Sequence, residues 1–129
     1  MELRTRLGLV AGLVLVLQAG VVGRTAAQEP APAAAPAATI AKGDSVFHTT
    51  GMCYACHGTN AQGTVGPNLT DKEWIHGDGS IEMITATVTS GIPKVNSKSG
   101  IMMPPKGGSS ISDEDVKAVA AYVYSLSHK

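Results

Sequence analysis

The sequence predicts an all-α fold, and three observations predict it. Apolar residues recur at helical spacing in three stretches, Ile40–Phe47, Ile81–Val88 and Val116–Leu126. No stretch makes a convincing strand, although Ile84, Ala86 and Val88 do alternate with three threonines. Only five residues are aromatic (Phe47, Tyr54, Trp74, Tyr122, Tyr124), so few large side chains are on hand to fill a core and something else must supply apolar bulk.

At 129 residues the chain has the length of one compact domain, with no room for a large two-domain enzyme. Ten basic and ten acidic side chains give zero formal charge, which argues against a nucleic-acid partner. Two cysteines are too few for a disulfide framework.

Residues 1–27 read as a signal peptide. Arg4 and Arg6 precede an uncharged apolar run from Leu7, and Thr25-Ala26-Ala27 offers small residues for cleavage. The alternative is an uncleaved anchor, against which Leu7–Val22 holds only 16 uncharged residues, somewhat short of the ~20 a span needs. Either way the remainder lies outside the cytoplasm. Cleavage after Ala27 leaves seven lysines against nine acids. Residues 28–38, QEPAPAAAPAA, read as a Pro/Ala linker, and 39–129 as the single folded domain.

The first helix is expected from Thr39 to about Thr50, with Ile40, Gly43, Val46 and Phe47 on one face. Gly43 inside it costs about 1 kcal/mol against Ala, a sign of close packing there. Gly58–Asn68 is a Gly- and Asn-rich loop. Thr70 with Glu73 forms a capping-box pattern that predicts a short helix through Trp74 and Ile75. Ser80 as cap and Gly91 as terminator favour a helix over a strand for the stretch between them. A long loop with Pro93, Pro104 and Pro105 follows. The last helix opens with Ser112 as cap and Asp113, Glu114 and Asp115 in its first turn. Its apolar stripe is Val116, Val119, Ala120, Val123 and Leu126.

Chemistry concentrates at Cys53-Tyr54-Ala55-Cys56-His57. Two thiols three residues apart can each add to one vinyl group of a haem, and the adjoining imidazole can then bond the iron; C-x-x-C-H is the attachment signature of c-type haem. Competing readings are a structural disulfide, a thioredoxin-like redox pair and a zinc site. The redox pair lacks its strand-to-helix setting, and zinc would have to recruit His48, His57, His76 or His128 without a second C-x-x-C.

From Gly43 to Leu126 the chain resembles a class I c-type cytochrome domain, and is similar in particular to the cytochrome c domains of cbb-type oxidase haem subunits. The likeness rests on Gly43-x-x-x-Phe47, CYACHG, GPNLTDKEW at Gly66–Trp74, the Met103-Pro104 pair and AAYVYSLS at Ala120–Ser127. The resemblance implies three to five helices wrapped around one covalently bound haem c. It implies iron held by His57 and by Met103, the Met before Pro. Proline pushes its predecessor to an extended backbone, which projects that side chain from the loop. Met102 is the alternative in the next register, whereas Met52 abuts the attachment motif and Met83 suits a core.

The resemblance also implies that the Pro67 carbonyl accepts the second imidazole N–H of His57, and that Trp74 either bonds a haem propionate or covers the haem edge. Gly43 and Phe47 are expected to meet Val119 and Tyr122 where the first and last helices cross. His48, His76 and His128 read as surface residues. Lys94, Lys98 and Lys106 flank the Met loop as either a solvated loop or a docking rim for an acidic partner, with Asp71, Glu73, Asp78 and Glu82 as an acidic counter-cluster. Pro93–Ile101 is longer than the family's usual approach to the Met.

An iron with both axial positions filled by protein binds no substrate readily, so the implied task is one-electron transfer without catalytic residues. Thioether ligation raises the reduction potential relative to bis-His. The expectation is a periplasmic electron carrier of a respiratory chain, exchanging electrons with a redox donor and acceptor, a respiratory complex or a dehydrogenase. The alternatives are a relay subunit tethered to the membrane through the N-terminal segment, and a haem peroxidase or gas-binding protein with a labile Met.

Overall fold

A computed structural model of the chain describes residues 35–129. The expected signal segment and most of the linker lie outside the described residues. Four helices carry the fold: α1 (Ala37–His48), α2 (Tyr54–His57), α3 (Ile81–Ser90) and α4 (Asp113–Ser127). Among the described residues there is no strand, only an isolated antiparallel bridge between Ile92 and Met103.

The first helix starts two residues earlier than the sequence suggests, because Pro36 sits extended before it and its carbonyl accepts from Thr39 and Ile40. Ala37 and Ala38, read as linker, form its first turn; alanine has the best helix propensity of any residue. α3 is helical as expected. The Ser80 hydroxyl caps it by accepting from the Met83 amide at 3.3 Å. The hydroxyls of Thr85 and Thr89 donate to the carbonyls of Ile81 and Thr85, which disposes of the polar half of the strand-like alternation. Gly91, at φ 69°, ends the helix. α4 opens with a full capping box between Ser112 and Asp115.

One expected helix is absent. Residues 68–79 run as bends and irregular backbone, with side-chain carbonyl and carboxylate oxygens taking backbone amides along it. Asn68 Oδ1 accepts from the Thr70 amide (2.9 Å) and hydroxyl (2.7 Å), which takes the amide that the Glu73 side chain would reach in a capping box. Asp71 Oδ1 accepts from the Glu73 amide at 3.0 Å and Asp78 Oδ1 from the Ser80 amide at 2.9 Å.

α1 and α3 both pack against α4. Phe47, Val116 and Val119 are the largest fully buried side chains, and Val46, Ile84, Val88 and Val123 join them. A Cβ on Gly43 would overlap the Ala118 carbonyl and lie 2.8 Å from Tyr122 Cβ, so that glycine is what lets α1 and α4 touch. Gly43 itself lies nearest Ala118 and Tyr122, while Phe47 and Val119 share the buried core. Phe47 meets Tyr122 edge-on, with ring centroids 5.5 Å apart. Lys42 reaches from α1 to Glu114 (2.8 Å) and Asp115 (3.0 Å) in the first turn of α4.

Candidate functional site

The attachment motif forms one tight turn. Cys53 is the residue before α2, and the His57 amide donates to its carbonyl at 3.0 Å. Gly58, at φ 85°, breaks the helix immediately after the histidine. Cys53 and Cys56 are both free thiols. Burial pushes the Cys53 thiol up to about 11, so it is a protonated, apolar group in this setting.

His57 is 8% exposed, and its Nδ1 lies 2.9 Å from the Pro67 carbonyl. A carbonyl oxygen can only accept, so Nδ1 carries the hydrogen. Burial holds the imidazole below its ordinary pKa, against the weaker opposing pull of that carbonyl. The ring is therefore neutral, with the proton on Nδ1 and a free lone pair on Nε2, which is the form that bonds a metal.

The loop carrying Pro67 is laced to the turn. The Gly66 amide and the Thr64 hydroxyl both donate to the Cys56 carbonyl, at 2.8 and 2.6 Å, and the Gly63 amide donates to the His57 carbonyl at 2.7 Å. A Cβ on Gly66 would lie 2.9 Å from His57 Cε1 and 3.0 Å from Nδ1. Gly66 thus sets how closely the loop seats against the imidazole.

A second wall comes from the loop after α3. Met103 exchanges both backbone hydrogen bonds with Ile92, at 2.8 and 3.0 Å, and its side chain packs against the core. Gly91 permits that pairing, since a Cβ there would strike the Met103 carbonyl. Met102 is 52% exposed. Trp74 is half-buried, and its indole lies flat against the α-carbon of Gly79, where a Cβ would overlap Nε1 and Cδ1.

All six residues singled out in the sequence, Cys53, Cys56, His57, Pro67, Trp74 and Met103, line one cavity of about 420 Å³. Met52 and Met102 line it too. Most of the remaining lining is apolar, from Leu69, Ile84, Val88, Ile92 and Val123, with Glu73 and Lys98 on it as charged groups. Gly66, Gly79 and Ile92 belong to the site as well; the sequence analysis gave them no individual role.

Of the other histidines, His76 borders the cavity. His128 stacks on Tyr124 with centroids 3.8 Å apart, and His48 lies at the end of α1. Among the described residues no three His, Cys, Asp or Glu side chains gather as a metal site, so the zinc alternative finds no donor set there. Lys106 is not a free rim charge: its ammonium donates to Asp113 at 2.7 Å and to the Ile111 carbonyl at 3.1 Å.

The donor set fits a haem c. Two thiols within one turn, an imidazole with its outer nitrogen already bonded, and a thioether on the wall of the same apolar cavity are the groups that covalent attachment and axial ligation require. The volume falls within the range of ligand pockets, ~300–1,000 Å³.

Comparison with known proteins gives the family. A family model described as cytochrome c oxidase, cbb3-type, subunit III matches residues 38–123. The cbb3-type cytochrome c oxidase subunit CcoP of Rubrivivax gelatinosus is 43% identical over 89 residues, covering 68% of this chain and 26% of that protein. Subunit FixP of a Bradyrhizobium species is 42% identical over 92 residues, covering 67% of this chain and 30% of that protein. The chain thus matches between a quarter and a third of these relatives' length. Cytochrome cL of Methylophaga aminisulfidivorans superposes with a TM-score of 0.55 at 23% identity, over 70% of this chain and 55% of that one, and so shares the fold. By its motifs, its helical architecture and a family match spanning residues 38–123, the chain belongs to the family of cbb3-type cytochrome c oxidase subunit III, as a cytochrome c domain.

Proposed function

We propose that this chain is a one-electron relay working beside a respiratory oxidase, with a single haem c attached through Cys53 and Cys56. His57 and Met103 would hold its iron, Pro67 would orient the His57 ring, and Trp74 would close one side of the cavity. The observation that carries this reading is the His57–Pro67 bond at the edge of a cavity that both thiols and Met103 also line. When bound, the haem supplies the Fe(III)/Fe(II) couple. The chain's own residues do the rest. The Pro67 carbonyl fixes tautomer and ring plane, and a hydrogen-bonded imidazole is a more basic ligand. The Ile92 pairing holds Met103 by its backbone, which disfavours a labile Met and with it the peroxidase or gas-binding alternative. An apolar lining disfavours the ferric charge and, with thioether ligation, raises the potential.

The tethered relay is favoured over a freely diffusing carrier because the matched relatives are named as oxidase subunits. We place the domain on the periplasmic side, with residues 1–27 as a cleaved signal or retained anchor, 28–34 as the rest of the linker, and redox proteins of the complex as donor and acceptor. Among the described residues no helix is long and apolar enough to cross a membrane, so any anchor must come from elsewhere.

The test is the visible spectrum of the exported protein, oxidised and reduced, with a pyridine haemochrome and added carbon monoxide. A haemochrome of the two-thioether type, one haem per chain, and no response to carbon monoxide are expected. A high-spin ferric spectrum or rapid carbon monoxide binding would remove Met103 from the ligand set. Recovery in the membrane fraction supports the relay; recovery as a soluble protein returns the diffusing carrier to first place.

A further inference from the structure

His48 ends α1, and both of its ring nitrogens face carbonyl oxygens. Nδ1 lies 2.9 Å from the Asp44 carbonyl and 3.0 Å from the Asp44 carboxylate, while Nε2 lies 2.7 Å from the Thr59 carbonyl. Carbonyls accept and never donate. A neutral imidazole has one N–H, and with the carbonyl and carboxylate of Asp44 both at Nδ1 that hydrogen sits on Nδ1 and a lone pair faces the Thr59 carbonyl. Only the imidazolium donates to both at once.

The surroundings suit a cation. Asp44 supplies the negative charge from α1, and a positive side chain at a helix C-terminus opposes the helix dipole. The other titratable groups facing the ring are two phenols. Tyr54 of the attachment turn lies with its centroid 6.4 Å away, nearly parallel, and Tyr122 of α4 lies edge-on at 6.2 Å. Burial first, and Asp44 second, push the Tyr122 phenol up to about 12, so it stays neutral.

Thr59 stands two residues beyond His57, at the start of the loop that also carries Gly66 and Pro67. Inside that loop the Ala61 amide donates to Gly58 at 2.9 Å, the Gly63 amide to His57 at 2.7 Å and the Leu69 amide to Ala61 at 2.8 Å. The Nε2 contact fastens the loop to α1.

We propose that His48 is a protonatable clamp and a positioning residue for the site: its imidazolium holds the loop that seats His57 against the end of α1, and loss of the proton slackens that loop. The Thr59 carbonyl, and then the Asp44 carbonyl, raise the His48 pKa above the ordinary 6.5, against a smaller opposing effect of burial. A raised folded-state pKa means the clamp is fully engaged below about pH 6.5 and is lost as pH rises through the folded value. The proposal rests on the haem reading only in taking Cys53–His57 as the attachment turn.

The test uses reduced holoprotein, with the His48 ring titrated by NMR and amide exchange followed at Ala61, Gly63 and Leu69. The ring should titrate above 6.5, and protection of the three amides should fall on the order of tenfold across the same midpoint, as expected for one bond to a charged donor. His48→Gln should abolish that step. Asp44→Asn, which keeps both carbonyls, should keep the step and move its midpoint down. A ring titrating at or below 6.5, a protection profile without a step at the ring's midpoint, or an unchanged step in His48→Gln would overturn the clamp. Failure of the haem reading would appear separately, as absence of a covalent haemochrome from the same sample.

Discussion

His57 is restrained on two sides by groups that leave it one role. The Pro67 carbonyl fixes its proton on Nδ1, and Gly66 packs so close that no side chain fits between loop and ring. Gly66→Ala should therefore displace the imidazole or break its bond to Pro67. The expected cost is about 1–3 kcal/mol, the usual range for overpacking, together with a perturbed haem spectrum, read by thermal melts and absorbance. Met103 and Met102 make a second pair of tests. Met103 has a backbone pinned by Ile92 and a side chain packed on the core, whereas Met102 is half exposed. Met103→Ala should lower the reduction potential and open the iron to carbon monoxide, while Met102→Ala should do neither; the reverse result would exchange their roles. The cysteines and His57 are legible in the sequence because the motif is local. The close approaches at Gly66, Gly79 and Gly91 are not, because the atoms a Cβ would strike belong to residues that only folding brings near.

Helices with strong end signals are the ones the sequence reveals. Ser80 and Ser112 are read as caps, and both hydroxyls accept the amide three residues on. The pattern at Thr70 and Glu73 looks the same in one dimension but fails, because Asn68 takes the Thr70 amide and Asp71 takes the Glu73 amide, the two amides a capping box needs. Local side-chain competition decided that segment, and the apolar period carried no information about it. The Ile92–Met103 bridge joins residues eleven apart across a proline-containing loop, a pairing no periodicity encodes. Gly43 is the opposite case: its helix-weakening cost advertised a close approach, and α4 supplies the backbone that approaches. Gly43→Ala should gain about 0.8–1.0 kcal/mol of helix propensity. It should lose more, about 1–3 kcal/mol, to overlap with the Ala118 carbonyl, which cannot rotate away. Net destabilisation in a denaturant titration, with the haem still attached, is the expected result; a neutral or stabilised variant would mean α1 and α4 sit farther apart.

At the scale of the whole molecule the scarcity of aromatic residues acquires a cause. The helices enclose Phe47, Val116 and Val119 on one side of α4 and, around His57 and Met103, a cavity of about 420 Å³. Without an apolar filling, the side chains lining this space stay exposed to water and forgo the burial on which a small domain's stability of ~5–15 kcal/mol depends. Water is a poor substitute against Leu69, Ile84, Val88 and Val123, which offer it no hydrogen-bond partners. Two outcomes remain for a chain without haem: collapse of the loops that carry Pro67 and Met103, or global unfolding. The loops are held by bonds that converge on the attachment turn, from Gly63, Thr64 and Gly66 to the carbonyls of Cys56 and His57. Collapse would break those bonds along with the Ile92–Met103 pairing, leaving only the α1–α4 contact, which is too small a core to stand alone. The double variant Cys53→Ala/Cys56→Ala should therefore be largely unfolded, with weak far-UV circular dichroism and no cooperative thermal transition. A cooperative melt in that variant would show that the helices reach their packing unaided and that the haem occupies the core without creating it.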